Sequence, residues 1–376
     1  MRKLYFIPII LLIHFSCKNE VKKTKVSESL ATKITYAQGF EIENFMDHKV
    51  LKISNPWPGT DKTYTYLLKK SDRTIEREEN FDGIIQIPVR NLVVTSTTHI
   101  PSLEMLGVEE LLVGFPNLNY ISSEKTRRLI EKDEIKELGK NEDINTEVLI
   151  DLSPDVVVTF AVEGGNKTVS TIQKTGIPVI YNSDWTETHP LGKAEWIKFF
   201  GALVDKEKEA DSIFSEIENN YNFAKDLAAQ SATKPTVLSG AMYKDIWYLP
   251  QGDSWAARFI ADANGDYLWK ESKGTGSHSL NLESVLEKGK EAQYWIGPAQ
   301  FTSLEHMYET HSVYSKFDAF QQKKIYSFNT VKGATGGVLY YELAPNRPDI
   351  VLKDIIKILH PRLLPEHKLY FFSLLE

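Results

Sequence analysis

Between residues 34 and 68 apolar and polar positions alternate, in the stretches KITYAQGFEI, HKVLKIS and TYTYLLKK. A period of two is that of half-buried antiparallel strands, and NPWPGTD between them carries the Pro, Gly and Asp chemistry of a loop. From residue 91 the pattern changes to compact apolar runs separated by helical pieces: NLVVTS, HIPSLEMLGV, EELLVGF, DVVVTF and TIQKTGIPVIY. That alternation predicts βαβ units around a parallel sheet. Over 192–230 apolar positions recur three and four apart, as at Ile213, Ile217 and Tyr221, with charges on the other faces, which predicts a long helical segment. Gly201 and the turn DKEKEAD are expected to split it in two. A second α/β series opens at Pro235 with TVLSGAM, IWYLP, RFIADANGDYLW, QYWIGP and KKIYSFN, and NRPDIVLKDIIKILHPRLLP closes the chain with one more amphipathic helix.

One unit occurs twice. NTEVLIDLSPDVVVTF at 145–160 has a reduced copy in NLESVLEKGKEAQYWIG at 281–297. Each has Asn two positions before Glu, then a short apolar-patterned run, then a strand-like run. Helix chemistry alone can account for the glutamates, because a carboxylate in the first turn is favoured by the helix dipole.

The N-terminus stands apart. Arg2 and Lys3 precede the apolar run LYFIPIILLIHFS, which ends at Cys17 and has the tripartite pattern of an export signal. No other stretch approaches the ~20 apolar residues that a membrane crossing needs. Cys17 is the only cysteine, so no intramolecular disulfide is possible. Its position directly after the signal's apolar core resembles that of a bacterial lipoprotein, in which the thiol carries the lipid; His14 and Phe15 depart from the usual residues there, and Ser16 fits. KNEVKKTKVSESLATK, polar and short of aromatics, then suits a flexible tether. At 42% hydrophobic and 25% charged residues the full chain has the composition of a soluble globular protein. A net charge of -7 with no basic run in the body of the chain argues against nucleic acid.

From about residue 88 to 360 the ordered pieces resemble the substrate-binding proteins that serve ABC importers of iron-siderophores, haem and cobalamin. NTEVLIDLSPDVVV is similar to that family's Glu-helix-Pro-Asp-strand signature. TSTTHIPSLEMLGVEELLVG resembles its first strand-loop-helix, LGKAEWIKFFGALVDKEKEAD the entry to its lobe-connecting helix, and FIADANGDYLW the start of its second half. The resemblance implies two Rossmann-like α/β lobes with parallel sheets, joined by a long connecting helix, and here preceded by a small N-terminal β extension. The expected division is a signal peptide at 1–16, a lipidated tether at 17–33, the β-rich extension at 34–88, the first lobe at 89–205, the connecting helix at 206–233, and the second lobe with its terminal helix at 234–376. It further implies a monomeric, exported, lipid-anchored protein without cofactor or catalytic residues, which captures a metal chelate or corrinoid and meets an ABC permease dimer. Glu147 and Glu283 match the family's two docking carboxylates, which meet arginines on the two permease subunits.

A cleft between such lobes is built from loops at the carboxyl ends of parallel strands. On those loops the candidates for ligand contact are His99, Phe160, Trp185, Trp247, Tyr248, Trp255 and Tyr340, with Tyr341 beside them. Aromatic faces suit a large planar or apolar-rimmed ligand. His99, His189 and His278 raise a rival expectation, a bare Zn or Mn site, but no two of them share a metal-motif spacing. KGATGG at 332–337 lacks the Gly-Lys-Ser/Thr ending of a phosphate loop. GDSWA at 252–256 is not Gly-x-Ser-x-Gly, and nothing in the chain assembles an acid, a base and a nucleophile.

Overall fold

The computed structural model describes residues 30–71, 80–164 and 167–376; the signal, Cys17 and most of the tether lie outside them. The alternating stretch forms a five-stranded sheet in chain order: Leu30–Ala31, Phe40–Asn44, His48–Ser54, Thr63–Lys69 and Gly83–Gln86. The first four strands are antiparallel, as the period of two predicts, and the fifth runs parallel to the fourth.

The first lobe has five parallel strands in the spatial order Val179–Tyr181, Val156–Thr159, Leu92–Val94, Leu112–Phe115, Lys136–Glu137. All residues of Leu92–Val94 and Val156–Thr159 are buried, the mark of strands covered on both faces. The second lobe orders Asp266–Tyr267, Thr236–Ser239, Tyr294–Ile296, Ile325–Ser327 and Ser373–Leu374, the last strand antiparallel. In each sheet the chain winds outward from its first strand in both directions. The reversal falls between Leu92–Val94 and Val156–Thr159 in one lobe, and between Thr236–Ser239 and Tyr294–Ile296 in the other. Such a switch point opens a crevice at the carboxyl ends of the two strands.

The lobes are joined by the helix Glu207–Ala229, whose buried side chains Ala210, Phe214, Ile217, Tyr221, Ala224 and Ala228 repeat at alternating spacings of four and three. The expected break upstream occurs at Asp205, in the left-handed conformation at φ 59°, which ends the helix Ile197–Val204. Gly201 lies inside that helix for a different reason: a Cβ there would stand 2.7 Å from the Cβ of Ala210, so it allows the two helices to approach. The terminal helix Pro348–Leu359 packs against the connecting helix.

Both copies of the repeated unit are capped helices. Asn145 Oδ1 accepts from Val148 N (3.2 Å) at the start of Thr146–Leu152, and Asn281 Oδ1 accepts from Ser284 N (2.8 Å) at the start of Leu282–Gly289. An Asn N-cap contributes about 1 kcal/mol to such a helix. Glu147 and Glu283 stand exposed in the two first turns.

Candidate ligand-binding groove

Both switch points open into cavities. In the first lobe the strand ends supply Thr95, Ser96 and Thr97 on one side and Phe160 on the other, and with Asn141 and Tyr120 they line a cavity of about 320 Å³. Thr95 Oγ1 lies 3.0 Å from Thr159 Oγ1, a hydroxyl pair that ties the two central strands at the crevice floor. In the second lobe Ser239, Gly240 and Gly297 form the crevice floor, and Trp255, Phe328, Tyr340 and Phe372 wall a cavity of about 210 Å³. Two further cavities adjoin these. One of about 340 Å³ shares Asn141 and Phe160 with the first crevice, and one of about 620 Å³ shares Trp255 with the second. Tyr341, 58% exposed, lines both crevices. The shared residues set the four cavities side by side in a groove between the lobes, of a size suited to a small-molecule solute.

The segment 333–342 closes one side of this groove against the first lobe. Buried Glu342 accepts from Ser122 N (2.7 Å) and Ser123 N (2.9 Å) across the junction. Burial pushes its carboxyl up to about 7, against the pull of those two N–H donors, and nearby Glu104 adds to the rise. The glycines of KGATGG serve this closure: a Cβ at Gly333 would stand 2.7 Å from the Cβ of Ser122, and one at Gly337 would stand 2.5 Å from its Oγ. Asn346 completes the junction, accepting from Ser102 Oγ (2.7 Å) and donating to the carbonyl of Thr98 (2.8 Å).

The aromatic candidates divide. Phe160, Trp185, Trp255 and Tyr340 all line the groove. Tyr340 is almost wholly buried there, stacked on Phe328 at 4.3 Å between ring centroids. Trp247 does not reach it. Along Ile246–Pro250 side chains alternate between faces, and Trp247 points inward to stack on Trp295 at 5.2 Å with no exposed surface. Tyr248 points the other way, to the solvent face of a small three-stranded sheet, and lines none of these four cavities.

His99 is also corrected. It is fully buried beside Phe200, 5.6 Å between centroids, because the helix Ile100–Met105 packs its first turn into the lobe. Burial pulls its pKa down despite the neighbouring Asp184, so the ring is held neutral. Asp184 itself accepts from Thr98 Oγ1 (2.7 Å). Among the described residues no group of three or more His, Cys, Asp and Glu is placed to hold a metal ion.

Sequence reasoning missed the contribution of the N-terminal sheet. Trp57, Pro58, Gly59 and Thr60, from the loop NPWPGTD, line the largest of the four cavities. Phe328 and Tyr120 were missed as well; each lies past the end of a short strand, where nothing local marks a groove.

Residues 92–330 match the family described as periplasmic binding protein. An uncharacterized lipoprotein of Methanocaldococcus jannaschii is 27% identical, over 92% of this chain and 86% of its own. A possible iron-binding periplasmic solute-binding protein from Staphylococcus epidermidis superposes with a TM-score of 0.56 at 17% identity, over 73% of this chain and 99% of its own. A periplasmic haem-binding protein of Vibrio cholerae gives a TM-score of 0.54 at 17% identity, over 70% and 99%. With two switch-point crevices facing one groove and a family match over most of its length, the chain belongs to the periplasmic binding protein family, as an extracytoplasmic solute-binding protein and not an enzyme.

Proposed function

We propose that this protein captures a metal chelate or corrinoid in the groove and delivers it to an ABC importer. The observation that carries the reading is the row of four adjacent cavities at both switch points, walled by Phe160, Trp185, Trp255, Tyr340 and Tyr341. Flat or apolar-rimmed solutes are held by such aromatic faces, with a few polar groups fixing orientation. The hydroxyls of Thr95, Ser96 and Thr97 and the amide of Asn141 are suited to the latter task. The likeness to a possible iron-binding protein and to a haem-binding protein agrees with this class. A bare metal ion is less well served, since the groove gathers no ligand set among the described residues.

Glu147 and Glu283 are the docking carboxylates of this reading. Both are exposed and both start a capped helix, one in each half, so a pseudo-symmetric carrier can meet two permease arginines through charge-assisted contacts. Cys17 is the lipid attachment site; Cys17→Ala is expected to move the protein from the membrane to the soluble fraction, and retention in the membrane with the signal removed would contradict the anchor. The carrier reading is tested by purifying the protein from its own host without added solute and recording its absorption and native mass spectra. A bound chromophoric chelate or corrinoid is expected. A protein that carries only a free metal ion would overturn the class.

A further inference from the structure

The largest of the four cavities is walled by three parts of the chain rather than two. Pro58 and Thr60 come from the N-terminal sheet, Trp185 and Lys193 from the first lobe, and Trp255 and Thr275 from the second. The N-terminal sheet is fastened in place, so its wall is fixed. Two buried carboxylates receive five successive backbone N–H groups at its entry. Glu195 accepts from Thr35 N (2.9 Å), Tyr36 N (2.7 Å) and Ala37 N (2.9 Å), and Glu187 from Gln38 N and Gly39 N (both 2.9 Å). Further along, fully buried Lys49 donates to the carbonyl of Ala202 (3.1 Å) and pairs with Glu207. Trp57 is wedged against Tyr181 and Tyr64, with ring centroids at 5.9 and 6.2 Å.

Inside this chamber the polar chemistry is balanced. Among the described residues Glu187 and Lys193 are the charged side chains in its lining, one of each sign, with no arginine beside them. Sites built for phosphate or multiple carboxylates use the arginine fork; this one does not. Lys193 is buried and spends two of its three protons on the carbonyls of Asp184 (3.1 Å) and Trp185 (3.0 Å), which leaves a third for an acceptor. Its ammonium lies 5.4 Å from the ring of Trp255, and Trp185, also in the lining, is 38% exposed.

We propose that the N-terminal sheet is a third wall of the solute site, and that the chamber it completes takes a flat ring group with no net charge against Trp185 and Trp255, with an acceptor on its edge hydrogen-bonded to Lys193. This rests on the solute-carrier reading and extends it to a part of the chain before the family match, which begins at residue 92. The carrier core thus gains selectivity from an added domain: a solute lacking the ring group leaves the chamber empty.

The test uses the full chain and two flat macrocyclic probes, cyanocobalamin and haemin, each titrated by quenching of tryptophan fluorescence. Thr60→Trp and Pro58→Trp fill the chamber from the third wall, Met46→Trp adds the same bulk at an exposed turn of the same sheet outside it, and Tyr341→Ala alters the groove outside the chamber. Thermal unfolding of each variant establishes that it is folded. At least one probe is expected to bind the wild type with a Kd of ~10 μM or lower, in the range of reversible solute capture. Thr60→Trp and Pro58→Trp are expected to weaken it at least tenfold, Met46→Trp less than twofold, and Tyr341→Ala severalfold. If Tyr341→Ala weakens binding while both filling variants stay within twofold of the wild type, the third wall is overturned and the carrier reading stands. If none of the variants changes affinity, the probe binds outside the groove and both fall. Failure of both probes to bind the wild type overturns the flat-ring occupant.

Discussion

At its switch point the first lobe presents Thr95, Ser96, Thr97 and Asn141, with Glu342 closing the crevice from the other half. At the equivalent place the second lobe presents Ile296, Phe328, Tyr340 and Phe372, rings packed against one another at 4.3 to 5.9 Å. The two sheets share a winding rule and the position of their crevices, so topology alone would make the sites alike. Side chains make them unlike: one crevice mixes hydroxyls and an amide with the rings of Phe115, Tyr120 and Phe160, while the other is almost wholly apolar. A solute lying across both would meet hydrogen-bonding groups at the first crevice alone, and that difference would set its orientation in the groove.

The comparison is broken most severely at Tyr340. Tyr340→Ala removes a nearly buried ring from the second crevice and should destabilise the protein by ~3–5 kcal/mol in urea unfolding, the usual cost of emptying an aromatic site. The matching change in the first crevice, Thr95→Val, loses a hydroxyl pair and should cost ~0.5–1.5 kcal/mol. Equal losses would mean that the two crevices are held together in the same way.

Glu342 gives the next effect. Its folded pKa, about 7, lies above the ordinary 4.5, so between those values the folded state binds more protons than the unfolded. The contribution of this group to stability is complete below about pH 4.5 and is lost as pH rises through 7, on the order of 1–3 kcal/mol in all. Glu342→Gln should remove that component of the pH dependence, measured as the difference in unfolding free energy between pH 5 and pH 8. A pH profile that matches the wild type would contradict the buried, proton-binding lobe junction.

Affinity sharpens the contrast further. Trp255→Ala and Trp185→Ala should each weaken solute binding by ~1 kcal/mol or more, the scale of an aromatic contact. Trp185, partly exposed, should do so with little change in melting temperature, whereas Trp255, packed on Phe259 at 5.6 Å and Tyr340 at 5.8 Å, should lower both. Unchanged affinity in both variants would mean that their rings serve packing alone.

The smallest expected change in stability concerns the one respect in which the halves agree. Glu147→Gln and Glu283→Gln should each cost ~0.3–1 kcal/mol through the helix dipole and leave solute affinity intact. Uptake by the reconstituted importer should fall with either and further with both. Uptake that follows stability alone would reduce the repeated unit to helix chemistry.

Much of this was legible because the signals were local. The Asn-x-Glu spacing marks the starts of both helices, the runs NLVVTS and DVVVTF read as strands of a parallel sheet, and Asp205 falls within the turn expected to divide the helices. Trp247 and Tyr248 were not separable, because IWYLP is apolar or aromatic on both faces and its period of two does not say which face turns inward. His99 follows a run of threonines and reads as loop, yet the helix after it carries the ring into the core. The N-terminal wall depends on Glu187 and Glu195 receiving N–H groups about 150 residues earlier in the chain, and no local pattern encodes such a contact.

The central claim, that one solute spans both crevices, is tested most directly by the crystal structure of the protein bound to the solute that copurifies from its own host. The account expects density running past Tyr341, within about 4 Å of Phe160 and Thr95 on one side and of Trp255 and Phe328 on the other. Density confined to one crevice, or lying outside the groove altogether, would contradict it.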